Sequence, residues 1–568
     1  MHLLRGLRLV CLLLCTPFPA ASAQRPAPRT VDTTSAMARA QRTITTDGLL
    51  NDISTLASDR FEGRAPGTRG EDSAVAYIAS RFRAIGLRPG NGESYLQAVP
   101  LIGTNSLLDA SISAKGQRQP LRQLEDIVAW SLRPDTLIQV RAADLVFVGY
   151  GVVAPEFGWD DFKGVDVRGK TVVFLIGDPP VPDPRDSTKL NAKVFRGDAM
   201  TYYGRWTYKY ETAAARGAAA AIIVHQTRQA GYPWTTVQSN VHEKFEVAGG
   251  TAHTPVEGWI QLDVAKKLFA ADGKDFDALE RSARTRSFRP VMLGASADFT
   301  VRNTVRPVQS RNVIATRPGS DAKLRDQFVL FSAHWDAYGI GRPIGGDSIY
   351  NGALDDASGV AWLLATAGAF ASLPVAPKRT LVFLAVTAEE QGLLGSSYYA
   401  QHPVYPLERT LANINMDIMN PWGRTRSIVS LGYGQSSLEE LLAREAALDD
   451  RTVKPDPEPE KGYFYRADHF ALAQRGVPAL SFLFPGADWL LKPQAFGATK
   501  RGEYVARDYH KPTDEPKADW DLSGIVDDAR LLFRVGLNVA NGTKWPTWNA
   551  GTEFRARREE MLRAAKRH

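Results

Sequence analysis

Residues 328–336 read FVLFSAHWD, and residues 380–390 read TLVFLAVTAEE. In each stretch an uninterrupted apolar run, rich in β-branched and aromatic residues, ends in side chains that can bind a metal ion. Such a run is typical of a strand that is buried on both faces, as in a parallel sheet. The two stretches therefore predict strands of one α/β sheet whose carboxyl ends meet at the same edge.

The chain on either side of these stretches continues the alternation of strand and helix. We expect a mixed, largely parallel sheet flanked by helices from about residue 311 onward. Residues 44–87 have helical spacing on both sides of a turn-rich loop, whereas residues 120–304 are dominated by short strands. The further elements predicted after residue 311 are strands at 411–416 and 479–484 and helices at 357–371, around Ser396, and at 438–448.

Composition excludes several classes of function. The chain has 568 residues, 44% of them hydrophobic, and a formal charge of +7. Its basic residues form no cluster with interleaved aromatic residues, so we expect no nucleic-acid partner. Beyond the amino-terminal segment no stretch is long and apolar enough to span a membrane, so we expect no stable membrane insertion.

The amino terminus has the pattern of a cleavable secretory signal. Arg5 and Arg8 precede the apolar run 9–14, and the small residues 21–23 precede Gln24. We expect a mature chain from about Gln24 that is secreted or periplasmic. Both cysteines lie within residues 1–23, so a metal ion in the mature chain would be held by histidine and carboxylate groups rather than by thiolate.

Metal-capable side chains follow the three predicted strands that begin at residues 328, 380 and 411. They are His334 with Asp336, then the pair 389–390 (EE), and then Asp417. Asp355 lies in the loop 351–359 (NGALDDASG), and His510 lies in the segment 508–514 (DYHKPTD). Each group alone is ordinary, as a surface pair, a solvated helix start or an N-cap. Together, at strand ends, they predict a metal site.

The motifs resemble those of the M28 family of co-catalytic zinc peptidases. The matching pattern is His-x-Asp, Asp-Asp-x-Ser-Gly, Glu-Glu, Asn-x-Asp and Tyr-His, within residues 44–100 and 305–540. The loop 64–67 (RAPG) is also similar to one in the amino-terminal helices of that family. The segment 161–170 (DFKGVDVRGK) resembles the protease-associated (PA) domain that many members carry as an insertion.

The resemblance implies two zinc ions per chain. Asp355 would bridge them, Glu390 and His510 would complete one ion, and His334 and Asp417 would complete the other. Each ion would keep an open position for a shared water or hydroxide, as a catalytic site requires.

The resemblance also assigns catalytic roles. Glu389 would be the general base, and Tyr509 would donate a hydrogen bond to the developing oxyanion. Asp336 would accept the second N–H of His334 and so fix its tautomer. Asp355 is preferred over Asp356 as the bridging ligand because of its spacing to the Ser-Gly pair. Residues 468–469 (DH) could either contact substrate or form local hydrogen bonds.

The resemblance implies an exported aminopeptidase that acts on peptides with a free amino terminus. The alternatives are a carboxypeptidase or dipeptidase on the same scaffold, a glutaminyl cyclase with one zinc, and an inactive binding protein. A carboxypeptidase would need an arginine or lysine aimed at the terminal carboxylate, and the inserted domain is one source of such a residue.

The implied organisation has six segments. They are a signal peptide (1–23), a flexible linker (24–42), the first part of the peptidase domain (43–119), the inserted PA domain (120–304), the second part of the peptidase domain with the metal site (305–545), and a carboxyl-terminal tail (546–568).

Overall fold

The computed structural model describes residues 33–239, 243–250, 252–483 and 487–566. The predicted signal peptide lies outside these residues. Among the residues described, no helix is both long and apolar enough to cross a bilayer.

The strands within the described ranges are β1 (Arg88–Pro89), β2 (Leu96–Ala114), β3 (Gln117–Leu121), β4 (Ile127–Trp130), β5 (Leu137–Phe147), β6 (Val153–Ala154), β7 (Trp159–Asp160), β8 (Thr171–Leu175), β9 (Pro182–Asp183), β10 (Asp186–Leu190), β11 (Ala220–His225), β12 (Lys244–Val247), β13 (Val256–Gln261), β14 (Val291–Arg317), β15 (Phe328–His334), β16 (Gly339–Ile344), β17 (Asp347–Tyr350), β18 (Thr380–Val386), β19 (Thr410–Asn415), β20 (Ser427–Leu431), β21 (Thr452–Pro455) and β22 (Ala479–Leu483).

The helices in the same ranges are α1 (Thr33–Arg42), α2 (Thr46–Leu56), α3 (Arg69–Ile85), α4 (Trp206–Ala215), α5 (Thr227–Ala230), α6 (Trp234–Ser239), α7 (Leu262–Ala271), α8 (Phe276–Ala283), α9 (Ser358–Ala371), α10 (Leu394–Gln401), α11 (Leu438–Ala447), α12 (His469–Gln474), α13 (Phe496–Arg507), α14 (Ser523–Asn541) and α15 (Arg555–Ala565).

The sheet that carries the metal-capable residues has the order β21-β20-β22-β19-β15-β18-β14. Its central strands β19, β15 and β18 are parallel, whereas β14 and β20 join it antiparallel. Every residue of β15 and β18 is buried, as their apolar runs predict. Helices α2, α3, α9 and α14 contribute to the core beside this sheet. The expected fold class, a mixed and largely parallel sheet flanked by helices, is confirmed.

The two helices before this sheet have clear local signals. α2 begins after Thr45, whose hydroxyl accepts a hydrogen bond from the Gly48 amide at 3.2 Å. α3 follows Thr68 in the same manner and ends at Gly86, which has a φ of 87°. The helical spacing predicted for residues 44–87 is therefore realised as a pair of capped helices.

A second core lies within residues 108–301 and is built on β5, β8, β11, β13 and β4. The long strands β2 and β14 connect it to the first sheet, pairing antiparallel from Leu96 opposite Val313 to Ala114 opposite Ala295. The expected boundaries at residues 120 and 304 fall inside β3 and β14, so no break in the backbone structure marks them.

The expectation of a flexible segment over residues 24–42 was wrong for its second half. Residues 33–42 form α1, and Ala36 and Ala40 are buried. Small alanine side chains bury a helix face without the large apolar residues that make a periodic pattern visible. Residues 24–32 lie outside the described part of the chain.

Candidate metal centre

The strand ends bring the predicted metal-capable residues to one edge of the sheet. His334 is the last residue of β15, which pairs in parallel with both β18 and β19. Glu390 follows β18, and Asp417 follows β19. Asp355 reaches the same edge from the turn before α9. The topology therefore gathers side chains that are far apart in sequence.

His510 and His334 lie on opposite sides of Asp355. His334 Nε2 is 3.2 Å from Asp355 Oδ1 and 3.8 Å from Asp417 Oδ1. His510 Nε2 is 3.4 Å from Asp355 Oδ2 and 3.2 Å from Glu390 Oε2. Each of the two groups has its potential ligand atoms within 4.8 Å of one another. Asp355 thus offers one oxygen to each group.

Three atoms of these groups are buried without a hydrogen-bond partner among the described residues. They are His334 Nε2, His510 Nε2 and Asp417 Oδ1. An orphaned buried polar atom costs about 1–3 kcal/mol, so a native structure needs something to satisfy it. Imidazole nitrogens and carboxylate oxygens are donors that suit zinc. The residues present therefore fit a metal ion in each group.

Burial and like charge make this cluster unfavourable without a cation. Burial raises the pKa of Glu389 and of Glu390 well above the ordinary value, and neighbouring carboxylates raise both further. Burial also acts to raise the pKa of Asp355, but His334 and His510 outweigh it and lower that pKa. A bound cation would favour the charged form of all three carboxylates.

Asp356, the alternative to Asp355, has a different position. Its carboxylate accepts hydrogen bonds from the backbone amides of Gly359 (2.8 Å), Ile418 (3.2 Å) and His334 (3.3 Å). It thereby joins three segments that carry the cluster. A Cβ at Gly359 would lie 2.3 Å from Asp356 Oδ2, which explains why this motif position is glycine.

Asp336 acts differently from the expectation. His334 Nδ1 lies 3.1 Å from the backbone oxygen of Asp336 but 3.6 Å from its carboxylate, which is too far for a hydrogen bond. The carbonyl therefore accepts the Nδ1 proton and leaves Nε2 free to face the cluster. The Asp336 carboxylate instead accepts from the amides of Glu389 (3.1 Å) and Glu390 (3.3 Å).

Two tyrosines hold the His510 ring. The Tyr338 hydroxyl lies 3.0 Å from His510 Nδ1, and the Tyr509 ring stacks on His510 with ring centroids 3.6 Å apart. The sequence drew attention to Tyr509 but not to Tyr338, which has no motif signal of its own. The Tyr338 hydroxyl is the partner of Nδ1 of His510, as the Asp336 carbonyl is the partner of Nδ1 of His334.

Two further residues that the sequence did not single out as functional position Asp355. The Asp514 carboxylate accepts from the amides of Leu354 and Asp355, both at 3.1 Å. Arg64 is fully buried and donates to the backbone oxygens of Trp335, Asn351 and Gly352, at 2.6–2.9 Å, as well as to that of Leu56. The loop at 64–67 is therefore tied to the residue that follows β15 and to the residues just before Asp355.

Asp468 and His469 are both buried. Asp468 Oδ1 accepts a hydrogen bond from the Ser396 hydroxyl at 2.6 Å, and the His469 ring meets the Phe464 ring edge-on at 4.7 Å. Asp468 thus forms a local hydrogen bond, one of the two interpretations left open for this pair, and contact with substrate stays a prediction.

The sequence around this site matches a known family. Residues 312–533, which contain all five potential metal ligands, match the sequence model of "Peptidase family M28". Residues 312–533 belong to peptidase family M28. The resemblance inferred from the motifs is thereby confirmed for the part of the chain that carries the M28 site.

Individual relatives agree with the M28 assignment. A protein of Bacillus subtilis named "Aminopeptidase YwaD" is 28% identical over 66% of this chain and 68% of its own length. A "Probable zinc metalloprotease" of Pyrenophora teres f. teres is 40% identical over 113 residues, and the match spans 23% of that relative. The aminopeptidase from Aneurinibacillus sp. strain AM-1 aligns in structure over 89% of this chain and 96% of its own, with 19% identity and a TM-score of 0.49.

Proposed function

We propose that this protein is a zinc-dependent exopeptidase that removes residues from the amino terminus of peptides. The observation that carries the proposal is the pair of three-residue groups that share Asp355 and present orphaned histidine nitrogens. The names of the relatives, zinc metalloprotease and aminopeptidase, support zinc as the metal and the amino terminus as the end attacked.

Zinc would be held at two positions, one formed by His334, Asp355 and Asp417 and the other by Asp355, Glu390 and His510. When bound, zinc polarises a carbonyl oxygen and lowers the pKa of a coordinated water. The side chains of the protein transfer the protons and orient the substrate.

Glu389 is the proposed general base. Its carboxylate Oε2 lies 3.9 Å from His334 Nε2, and its backbone amide is held by Asp336. Burial raises the pKa of Glu389, which suits a carboxylate that must accept a proton from water near neutral pH. The same carboxyl group then donates that proton to the leaving amine. Tyr509, packed on His510, is the proposed hydrogen-bond donor to the carbonyl oxygen as negative charge develops there.

Two features of the organisation remain part of the proposal. The basic and apolar amino-terminal segment supports export to the periplasm or medium. The segment 161–170 and the separate β-rich core within residues 108–301 support an inserted PA domain.

The test measures zinc content and cleavage on the same sample. We expect about two zinc ions per chain and hydrolysis of peptides with a free amino terminus, lost on amino-terminal acetylation and on chelation. Unchanged turnover of acetylated peptides would refute the aminopeptidase assignment. Loss from blocking either end would indicate a dipeptidase.

A further inference from the structure

The two ligand groups differ in how their histidines are held. The His334 side chain is fully buried, and its Nδ1 lies 3.1 Å from a backbone oxygen, that of Asp336. The His510 side chain is 23% exposed, and the backbone φ of His510 is 57°. A residue with a side chain adopts this left-handed conformation only where its surroundings impose it. His510 therefore depends on neighbouring side chains for its position more than His334 does.

Tyr338 contacts both ligands that belong only to the second group, which consists of Asp355, Glu390 and His510. Its hydroxyl lies 3.0 Å from His510 Nδ1, and the centres of the two rings are 4.6 Å apart. Burial raises the pKa of Glu390 most, and a hydrogen bond from the Tyr338 hydroxyl acts in the opposite direction. Because Asp355 is shared with the other group, Tyr338 contacts the part of the site that is specific to the second group.

The contacts of Tyr338 form one chain of hydrogen bonds when His510 Nε2 binds a metal ion. The other ring nitrogen, Nδ1, then carries the proton and donates it to the Tyr338 oxygen, and the Tyr338 hydroxyl donates to the Glu390 carboxylate. A partner of this kind fixes the tautomer and the ring orientation of a histidine ligand. Tyr338 therefore orients two ligands of one metal position through a single oxygen.

The base of the β16–β17 hairpin fixes the position of Tyr338. Gly339, the next residue, has a φ of 73° and pairs with Tyr350 across the hairpin. A Cβ at Gly63 would lie 2.6 Å from the Gly339 oxygen and 2.7 Å from that of Tyr350, so the turn before α3 packs directly on this base. Tyr338 is therefore held in place through its backbone as well as by its contacts with the ligands.

We propose that Tyr338 is a positioning residue that raises the zinc affinity of the second group and leaves that of the His334 group unchanged. In the His334 group the corresponding role belongs to a backbone carbonyl, which no side-chain substitution removes. At limiting zinc, occupancy of the second position depends on Tyr338. This inference rests on the proposed function for the identity of the metal and goes beyond it by giving the two positions different supports.

The first test measures the zinc affinity of both positions in Tyr338→Phe. This change removes the hydroxyl and keeps the ring that packs against His510. We expect one of the two zinc ions to bind about ten- to a hundredfold more weakly, the usual effect of losing such a partner, and the other to bind as in the wild type. Competition with a chromophoric chelator measures both dissociation constants. Constants equal to those of the wild type, or an equal loss at both positions, overturn the inference.

Tyr350→Phe is the matched control. Tyr350 lines the same cavity of about 190 Å³ as Tyr338, and the centres of the two rings are 6.3 Å apart. The Tyr350 hydroxyl donates to the backbone oxygen of Arg342 at 3.0 Å, so its loss should leave both zinc affinities unchanged. A fall in zinc affinity as large as that in Tyr338→Phe would show that any change at the base of the hairpin has this effect, and would overturn the specific role of Tyr338.

Cadmium in place of zinc identifies which position changes. The ¹¹³Cd NMR spectrum of protein loaded with two cadmium ions should show two resonances, and His510→Ala identifies that of the second group by its loss. In Tyr338→Phe this resonance should shift or broaden while the other stays in place, because the substitution changes the orientation of ligands at one position only. No change in this resonance, or a change in the other alone, overturns the inference.

Excess zinc separates this inference from the proposed function. Tyr338→Phe keeps all five ligands and Glu389, so saturating zinc should restore kcat to near the value of the wild type. A kcat that stays low at saturating zinc would show that Tyr338 acts in the reaction itself, and would overturn its role as a positioning residue. If the wild type hydrolyses no peptide, the peptidase proposal fails, whereas a selective loss of zinc affinity in Tyr338→Phe leaves this inference standing.

Discussion

At the scale of single residues, Glu389 and Glu390 are neighbours in sequence with different surroundings. Glu390 Oε2 lies 3.2 Å from His510 Nε2 and belongs to one of the two ligand groups. Glu389 belongs to neither group, and its Oε2 lies 3.9 Å from His334 Nε2. Their backbone amides share one acceptor, the Asp336 carboxylate. One anchor thus orients a proposed base and a proposed ligand together.

The first prediction compares substitutions of Glu389 and Glu390, so that each variant is the control for the other. Glu389→Gln removes the proton acceptor but leaves all five ligands, so kcat should fall by about 10²- to 10⁴-fold with zinc content unchanged. Glu390→Gln removes a ligand, so zinc content should fall with activity. Atomic absorption on both variants, beside kcat, separates the roles. Loss of zinc from Glu389→Gln would contradict the assignment.

His469 gives a prediction about pH. Burial lowers the pKa of His469 to about 3, whereas a histidine in the unfolded chain titrates near 6.5. Between these values the unfolded state binds the extra proton, so the free energy of unfolding should fall as pH drops from about 6.5, by up to about 1.4 kcal/mol per pH unit. Above pH 6.5 this contribution is fully present.

Urea unfolding at several pH values between about 4.5 and 7 would measure this slope. In His469→Leu, which cannot titrate, the dependence on pH should be shallower over that window than in the wild type. Parallel curves for the two proteins would show that His469 does not contribute. Both proteins are measured at a saturating zinc concentration, so that a change of metal affinity with pH does not contribute to the difference between them.

At the scale of elements, the site depends on loops that are tied together through backbone atoms. Arg64 binds the carbonyl of Trp335 after β15 and those of Asn351 and Gly352 before Asp355. Asp514 holds the amide of Asp355 itself. The strands of the sheet fix the starting points of these loops, and the contacts of Arg64 and Asp514 fix the backbone further along them.

Arg64→Met should therefore be strongly destabilising. It removes a buried cation together with the donors for four carbonyl groups, and we expect a loss of about 3 kcal/mol or more in the free energy of unfolding. Arg60→Met, at an exposed position in the same turn, should change it by less than about 0.5 kcal/mol. Urea titration of both proteins measures the difference. Similar midpoints would mean that the loops hold their positions without Arg64.

The elements also show what the sequence could predict and what it could not. The runs at 328–334 and 380–386 were predicted as strands because burial on both faces leaves an unbroken apolar pattern. The ligand candidates followed from their positions after those strands. Tyr338, Asp514 and the exact partner of the Asp336 carboxylate could not be predicted, since each depends on which distant backbone atom approaches it. The helix at 33–42 was missed because alanine gives its buried face little hydrophobic contrast.

At the scale of the whole molecule, two cores share one pair of strands. β2 and β14 pair continuously from the first sheet into the β-rich domain. The β-rich core is thus joined to the sheet that carries the metal centre by one continuous antiparallel pair of strands.

The metal centre should stabilise the whole M28 domain. Its ligands come from loops between His334 and His510, so an ion that binds them only in the folded state stabilises all the elements between them. Without the ion, the buried carboxylates of Asp355, Glu390 and Asp417 remain close together, which favours opening of the site. We expect chelation to lower the midpoint of thermal unfolding by several degrees, and added zinc to restore it.

Variants make this prediction specific to the proposed ligands. In His334→Ala and His510→Ala the shift on chelation should be reduced, because each removes a nitrogen that has no other partner among the described residues. In Glu389→Gln the shift should match the wild type, because that residue belongs to neither ligand group. An equal shift in all four proteins would place the stabilising metal elsewhere. A full shift in one histidine variant alone would mean that only the other group holds a tightly bound ion.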